Sequence, residues 1–182
     1  MKYLYWWFRL FNTKQEIKKF NQILLNNTEE AKDSQAAGVI KSASVKFIKY
    51  RNIKKDIKFI EQNALVANAK AFGFSLYPEP IDYAKLLNYN IYSSDNKGEY
   101  GWHWDGELNS PSSQKLTILV NLSDSSYKGG EFQLLGLPDL TVPELTPGNM
   151  IVFPSLIGHR VLPVTKGVRK SLALWFYGPK FI

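Results

Sequence analysis

Tyr100-Gly101-Trp102-His103-Trp104-Asp105-Gly106 is the stretch on which the reading of this chain turns. In an extended segment, side chains two apart project to the same face, so His103 and Asp105 point together and Trp104 points away. Two such ligands form a claw for a metal ion. The chain has only one other histidine, His159 in Ile157-Gly158-His159-Arg160. It completes a set of two imidazoles and one carboxylate, which leaves coordination positions open on a non-haem Fe(II). A lone histidine is more often structural than a ligand, and an HxD tripeptide alone is weak. Economy favours the ligand reading: there are two histidines in 182 residues, the second fifty-six positions after the first, with Arg169 ten positions further on.

With 45% hydrophobic and 14% aromatic residues, a chain of 182 can bury a sizeable core, and its length favours one domain over 1–182. No apolar run approaches the roughly 20 residues that span a bilayer. The opening Met1-Lys2-Tyr3-Leu4-Tyr5-Trp6-Trp7-Phe8-Arg9 is aromatic, is interrupted by Arg9 and lacks a small-residue cleavage site. It does not read as a signal peptide, and a cytoplasmic location is expected. The absence of cysteine excludes disulfides, thiolate metal sites and a cysteine nucleophile. The net charge of +7 is uneven: residues 1–70 hold fourteen Lys or Arg against six Asp or Glu, while residues 71–182 hold nine against ten. A basic front can favour nucleic acid. No nucleic-acid-binding motif accompanies it, and Lys14, Lys18, Lys54, Lys55 and Lys58 read as the solvated faces of helices.

Working outward from the HxD stretch, the C-terminal half is a series of short β-type runs separated by turn signals. The candidate strands are Leu86–Tyr92, Tyr100–Asp105, Leu116–Leu122, Glu131–Leu135, Met150–Phe153, Arg160–Val164 and Ser171–Tyr177, enough for a jelly roll. Upstream, Met1 to Phe11 alternates at period two and reads as a strand at the edge of the main sheet. Thr13-Lys14-Gln15-Glu16 reads as a capping box opening a helix to about Asn26. Asn27 to Ala37 reads as loop, Val45–Ile48 as a short strand, and Ile53 to Ala71 as a second helix with an apolar stripe. The expectation is a mainly β, α+β fold: residues 1–80 give an N-terminal strand and supporting helices, and residues 81–182 a double-stranded β-helix core.

From about Leu86 to Tyr177 the chain resembles the prolyl 4-hydroxylase-like branch of the Fe(II)/2-oxoglutarate-dependent oxygenases. The resemblance is carried by an ordered set of pieces. They are Tyr100-Gly101-x-His103-x-Asp105, Leu116 to Leu122, Gly129-Gly130-Glu131-Phe132, Pro147-Gly148-Asn149-Met150-Ile151-Val152-Phe153-Pro154, His159-Arg160-Val161-x-Pro163-Val164, Gly167-x-Arg169 and Trp175. It implies Fe(II) ligation by His103, Asp105 and His159, and a bidentate, charge-assisted pair between Arg169 and the distal carboxylate of 2-oxoglutarate. Tyr92 is the best match for the tyrosine that lines the co-substrate pocket, with Tyr89 and Tyr100 as alternatives. Asn121 is the nearest position for a further hydrogen bond to that carboxylate, or is an ordinary strand-end residue. Trp175 and Tyr100 are candidates for the substrate side, although Trp175 also suits a core aromatic.

The resemblance implies a dioxygenase that couples oxidative decarboxylation of 2-oxoglutarate, with O2, to hydroxylation of a C–H bond, and for which ascorbate is the expected reductant. A prolyl residue of a protein or peptide is the leading substrate. The alternatives are another side chain, a free amino acid or a nucleobase, and, as a different class, a non-catalytic β-sandwich binding module. Ser93 to Gly98 and Gly106 to Gln114 read as mobile loops over the site.

Overall fold

Apolar residues recur at period two through most of the C-terminal half, and there the chain forms strands that bury one or both faces. The computed structural model describes residues 3–29, 39–79, 86–106 and 112–180. Its elements run β1 (Trp6–Arg9), α1 (Lys14–Leu25), β2 (Thr28–Glu29), β3 (Ser44–Lys49), α2 (Tyr50–Ile53), α3 (Lys58–Ala67), β4 (Leu86–Ser93), β5 (Tyr100–His103) and β6 (Ser112–Asn121). They continue with β7 (Lys128–Gly129), β8 (Phe132–Leu134), β9 (Asn149–Pro154), β10 (His159–Val161), β11 (Val164–Lys166) and β12 (Val168–Pro179).

Seven strands form one sheet in the order β1-β9-β6-β12-β4-β3-β2, and three form a second, β5-β10-β8. Every pairing in both is antiparallel. This is the double-stranded β-helix, the jelly-roll variant expected. The N-terminal part does more than buttress it, because β1, β3 and β2 are strands of the large sheet itself.

Alternation along the central strands separates two cores. Leu87 and Tyr89 of β4, Leu116, Ile118 and Val120 of β6, and Leu172, Leu174 and Phe176 of β12 face the helices, where Ile17, Phe20, Leu24, Ile53, Ile57, Ile60 and Ala64 meet them. The intervening residues, among them Tyr92, Leu119, Phe153 and Ala173, face the small sheet and its Phe132 and Val161. The functional cavity lies on this second side.

Helix α1 begins as its capping box demands: Glu16 N–H donates to Thr13 Oγ1 at 3.2 Å, and Thr13 N–H donates back to Glu16 Oε2 at 2.9 Å. The expected second helix is divided. Of its expected stripe of Ile53, Ile57, Ile60, Ala64 and Ala71, the first four are buried as the periodicity implies, and Ala71 is only half-buried. However, Lys54 to Ile57 form a turn between α2 and α3, and Asn68–Phe72 winds as a π turn ending at Gly73 in the left-handed region. Lys14, Lys18, Lys54, Lys55 and Lys58 are exposed, the solvated faces expected, and Lys54 pairs with Glu79 at 3.0 Å.

Other boundaries also move. The Arg160–Val164 run is two strands, β10 and β11, broken at Leu162-Pro163, where proline has no N–H to give a ladder. Of the loop expected over Gly106 to Gln114, residues 107–111 lie outside the described residues, and Ser112 to Gln114 belong to β6, paired with β12. Ser93 to Gly98 forms a single 3-10 turn, with Lys97 left-handed. Part of Asn27 to Ala37 is the short strand β2, and residues 30–38 lie outside the described residues. Among the described residues no helix is long and apolar enough to cross a membrane.

Candidate active site

The register of the small sheet assembles the three predicted ligands. His159 of β10 lies directly opposite His103 of β5. Asp105 lies two residues past His103, beyond the end of β5 rather than within it. Its N–H donates to Ser155 O at 3.0 Å, which holds the turn in place. His103 Nε2 is 3.8 Å from Asp105 Oδ1, and His159 Nε2 is 3.5 Å from Asp105 Oδ2. All three ligand atoms lie within 4.8 Å of one another. Spans of this order suit one ion with bonds of about 2.0–2.2 Å.

Hydrogen bonds on the far side of each ligand aim it inward. His103 Nδ1 lies 2.8 Å from Gly101 O and His159 Nδ1 lies 2.9 Å from Ile157 O. A carbonyl accepts only from N–H, so each Nδ1 carries the proton and each Nε2 presents a lone pair to the centre. Burial, reinforced by the neighbouring His159, holds the pKa of His103 well below its ordinary value and keeps the ring in the neutral, ligating form. Thr117 Oγ1 donates to Asp105 Oδ2 at 2.7 Å and lies 3.0 Å from Ser155 Oγ. Thr117 has one hydroxyl proton, so Ser155 donates to Thr117 in turn.

One cavity joins this centre to Arg169. Its lining includes His103, Asp105 and His159, with Tyr92, Arg169 and Ser171 at the opposite end. Arg169 is only 2% exposed, and no carboxylate among the described residues pairs with it. Its guanidinium lies 5.3 Å from the centre of the Tyr92 ring, and its Nη1 reaches Ser171 Oγ at 3.3 Å. A buried, unpaired guanidinium is costly, and an anionic ligand offsets that cost. Burial pushes Tyr92 up to about 12 despite the opposing charge of Arg169, so its phenol remains a hydrogen-bond donor.

Trp175 and Tyr100 also line the cavity. Trp175 Nε1 is buried with no hydrogen-bond partner among the described residues, and the Tyr100 ring stacks on His103 with centroids 3.6 Å apart. Trp104 is 69% exposed and Trp102 lies beneath Arg160, both turned away from the centre as the alternation requires.

Asn121 has two readings, a hydrogen bond to the distal carboxylate and an ordinary strand-end residue. It is fully buried but is not part of the cavity lining. Its amide donates to Leu145 O at 2.9 Å and to Tyr127 Oη at 3.0 Å, so both N–H groups are committed to the scaffold. Of its two readings, the structural one describes its position. Tyr89, an alternative for the co-substrate tyrosine, faces the helix core and donates to Asn21 Oδ1 at 3.1 Å.

Thr117, Ser171 and Lys41 went unread in the sequence. Parity would have found the first two, since Thr117 is a polar residue inside an apolar strand and Ser171 is two after Arg169 on the same face. Lys41 comes from a distant segment, and no local signal marks it.

The family model described as the 2OG-Fe(II) oxygenase superfamily matches residues 85–177, half of the chain. The chain belongs to the 2OG-Fe(II) oxygenase superfamily. Within it, a PKHD-type hydroxylase of Synechococcus sp. (strain CC9311) is 28% identical over 124 residues, covering 68% of this chain and 54% of that protein. A PKHD-type hydroxylase of Cupriavidus metallidurans is 37% identical over 83 residues, covering 42% and 36%. The chain thus spans about half the length, or less, of the curated relatives it matches. Among solved structures, a Trichoplax adhaerens prolyl hydroxylase in complex with a hypoxia inducible factor peptide fragment superposes with a TM-score of 0.71 at 16% identity, covering 97% of this oxygenase chain and 84% of that one. A Pseudomonas putida prolyl-4-hydroxylase gives 0.66 at 17%, covering 100% and 95%. At these identities the likeness is one of fold.

Proposed function

We propose that this protein is an Fe(II)- and 2-oxoglutarate-dependent dioxygenase that hydroxylates a prolyl residue in a protein or peptide. The observation that carries the proposal is the sharing of one cavity by the His103, Asp105, His159 triad and the buried, unpaired Arg169. The donor set of two imidazoles and a carboxylate fits Fe(II) and leaves coordination sites free. Fe(II) and 2-oxoglutarate supply chemistry that places one atom of O2 on a C–H bond and the other in succinate, with release of CO2.

The protein's own residues bind and orient. Arg169 receives the distal carboxylate of 2-oxoglutarate, with the Tyr92 phenol as a second donor and Ser171 steadying the guanidinium. Thr117 fixes the orientation of the Asp105 carboxylate beside the two imidazoles. Leu119, Phe132 and Val161 form an apolar wall that limits water in the cavity. On the substrate side, the flat face of Trp175 suits a proline ring with the edge of Tyr100 beside it, and the indole N–H of Trp175 is placed to hold a peptide carbonyl. The hydroxylase names of the relatives agree with this reading.

The test is incubation with Fe(II), ascorbate, O2 and 2-oxoglutarate, with and without a library of proline-containing peptides. Succinate coupled to a gain of about 16 Da, one oxygen atom, on a prolyl residue is the expected result. Succinate with no peptide oxidised would defeat the prolyl assignment, and no succinate under any condition would defeat the oxygenase assignment.

A further inference from the structure

The cavity holds more positive charge than the reaction above uses. Among its described lining residues, two are cations, Arg169 and Lys41, and one is an acid, Asp105. If the proposed function is right, Arg169 is matched by the distal carboxylate of 2-oxoglutarate. The two charges of Fe(II) are matched by Asp105 and the C1 carboxylate. Lys41 is left over.

Its position is fixed by the fold. Lys41 pairs with Tyr100 in an isolated antiparallel bridge beside β5, and Gly101 N–H donates to Ile40 O at 2.8 Å. The chain then crosses to the large sheet as β3. Lys41 Nζ sits 4.4 Å over the centre of the Tyr100 ring. His103 stacks on Tyr100 at 3.6 Å, so the ammonium occupies the ring's other face, one aromatic ring away from a metal ligand. Among the described residues no carboxylate lies within ion-pair distance of Lys41. Lys41 also lies outside residues 85–177, the part matched by the family model. Nothing in the shared catalytic frame requires it.

We infer that Lys41 is a specificity determinant that selects a peptide substrate bearing a carboxylate beside the residue to be hydroxylated. A half-buried ammonium held on an aromatic face has lost part of its hydration, and an anionic partner restores what water no longer supplies. A neutral peptide leaves that charge unmatched. The carboxylate comes from an acidic side chain flanking the target or from the free C-terminus of the peptide. The two sources differ in where the chain must end.

The test measures binding, so it does not depend on turnover. Protein loaded with Zn(II) and 2-oxoglutarate is titrated with four fluorescent peptides of one sequence. In these the target proline is followed by Asp, followed by Asn, placed at a free C-terminus, or replaced by Ala ahead of Asp. Wild-type protein is expected to bind the Asp peptide roughly tenfold more tightly than the Asn peptide, the scale of a charge-assisted hydrogen bond. Lys41→Met, which keeps the alkyl stem over Tyr100, should remove that preference, and Lys41→Arg should retain it. Preference for the C-terminal proline over the Asn peptide, lost in the same variant, would assign the carboxylate to the chain end. Equal binding of the Asp, Asn and C-terminal-proline peptides by the wild type, a preference that survives in Lys41→Met, or no binding of any peptide would overturn the inference. A preference for Asp that is the same with Pro and with Ala would uphold Lys41 and defeat the prolyl assignment. The visible absorption band that Fe(II) gains on chelation by 2-oxoglutarate tests the oxygenase assignment separately.

Discussion

Thr117 Oγ1 donates to Asp105 Oδ2 at 2.7 Å, and so fixes how the Asp105 carboxylate is presented to His103 and His159. Outer partners of this kind are worth about 10–100-fold in metal affinity. Thr117→Val should therefore raise the Zn(II) dissociation constant by roughly tenfold or more, and Thr117→Ser should restore it. Calorimetric titration of the metal-free proteins checks this. Unchanged affinity in Thr117→Val would mean that Asp105 needs no such support.

Asp105→Ala removes the one carboxylate of the triad but no part of either core. Its metal-free thermal midpoint should stay near that of the wild type, and turnover should be abolished. A ligand that binds only the folded state raises the midpoint by mass action. Added Zn(II) should thus shift the wild type upward and leave Asp105→Ala where it was. Retained activity in the variant would remove Asp105 from the metal site.

Gly130 controls Arg169 without touching the metal. Its φ is +67°, and a Cβ there would stand 2.9 Å from Arg169 Cδ and 2.9 Å from Val164 Cγ2, both on buried residues. Gly130→Ala should cost about 1–2 kcal/mol of stability, the penalty of the left-handed region. It should also weaken 2-oxoglutarate binding by roughly tenfold, as expected when a charge-assisted pair is displaced. Zn(II) affinity should not change. Denaturant melts and the 2-oxoglutarate titration separate the two effects, and intact 2-oxoglutarate affinity would show that the guanidinium tolerates displacement.

A pH dependence arises on the helix-facing side of β12, at Lys170, the chain neighbour of Arg169. Burial works to raise the Asp124 carboxyl. The hydrogen bond and charge of Lys170, 2.7 Å away, and the Asn21 amide together hold it below its ordinary value. A folded-state pKa below the unfolded one means that the unfolded chain binds the proton first. The stabilisation is therefore complete above the ordinary pKa and is lost as pH falls through the folded one. Urea midpoints between about pH 5 and pH 2 should fall less steeply in Asp124→Asn than in the wild type. Parallel curves would show that the pair contributes nothing to folding.

Much of this was legible in the sequence, because the informative residues are scarce or strictly periodic. With only two histidines, the HxD tripeptide and His159 identify the metal centre before any coordinates are seen. Period-two alternation located the central strands, and it correctly turned Trp102 and Trp104 outward. Strand ends were harder: β12 extends past Ser171–Tyr177 at both ends because it pairs with β4 along one part and with β6 along the other. Those partners are invisible locally. The same limit applies to β1, whose Trp6 pairs with Val152, and to Asn121, whose amide is taken up by Leu145 and Tyr127 across the fold. Lys41 meets Tyr100 only through the crossing between sheets.

Strand β12 carries Arg169, Ser171, Ala173 and Trp175 in sequence along one face, the first at the proposed co-substrate anchor and the last on the proposed substrate side. Neighbours clamp it on both edges over Ser171 to Ala173, so it has little freedom to slide or stretch. At about 3.3 Å per residue it acts as a fixed caliper whose jaws stand roughly 20 Å apart at the backbone. Under the proposed function, a change of side chain at either jaw alters what that jaw reaches, while the spacing between the two stays fixed by the ladder. The same ladder that stabilises the sheet thereby sets the distance at which two separate binding ends are held.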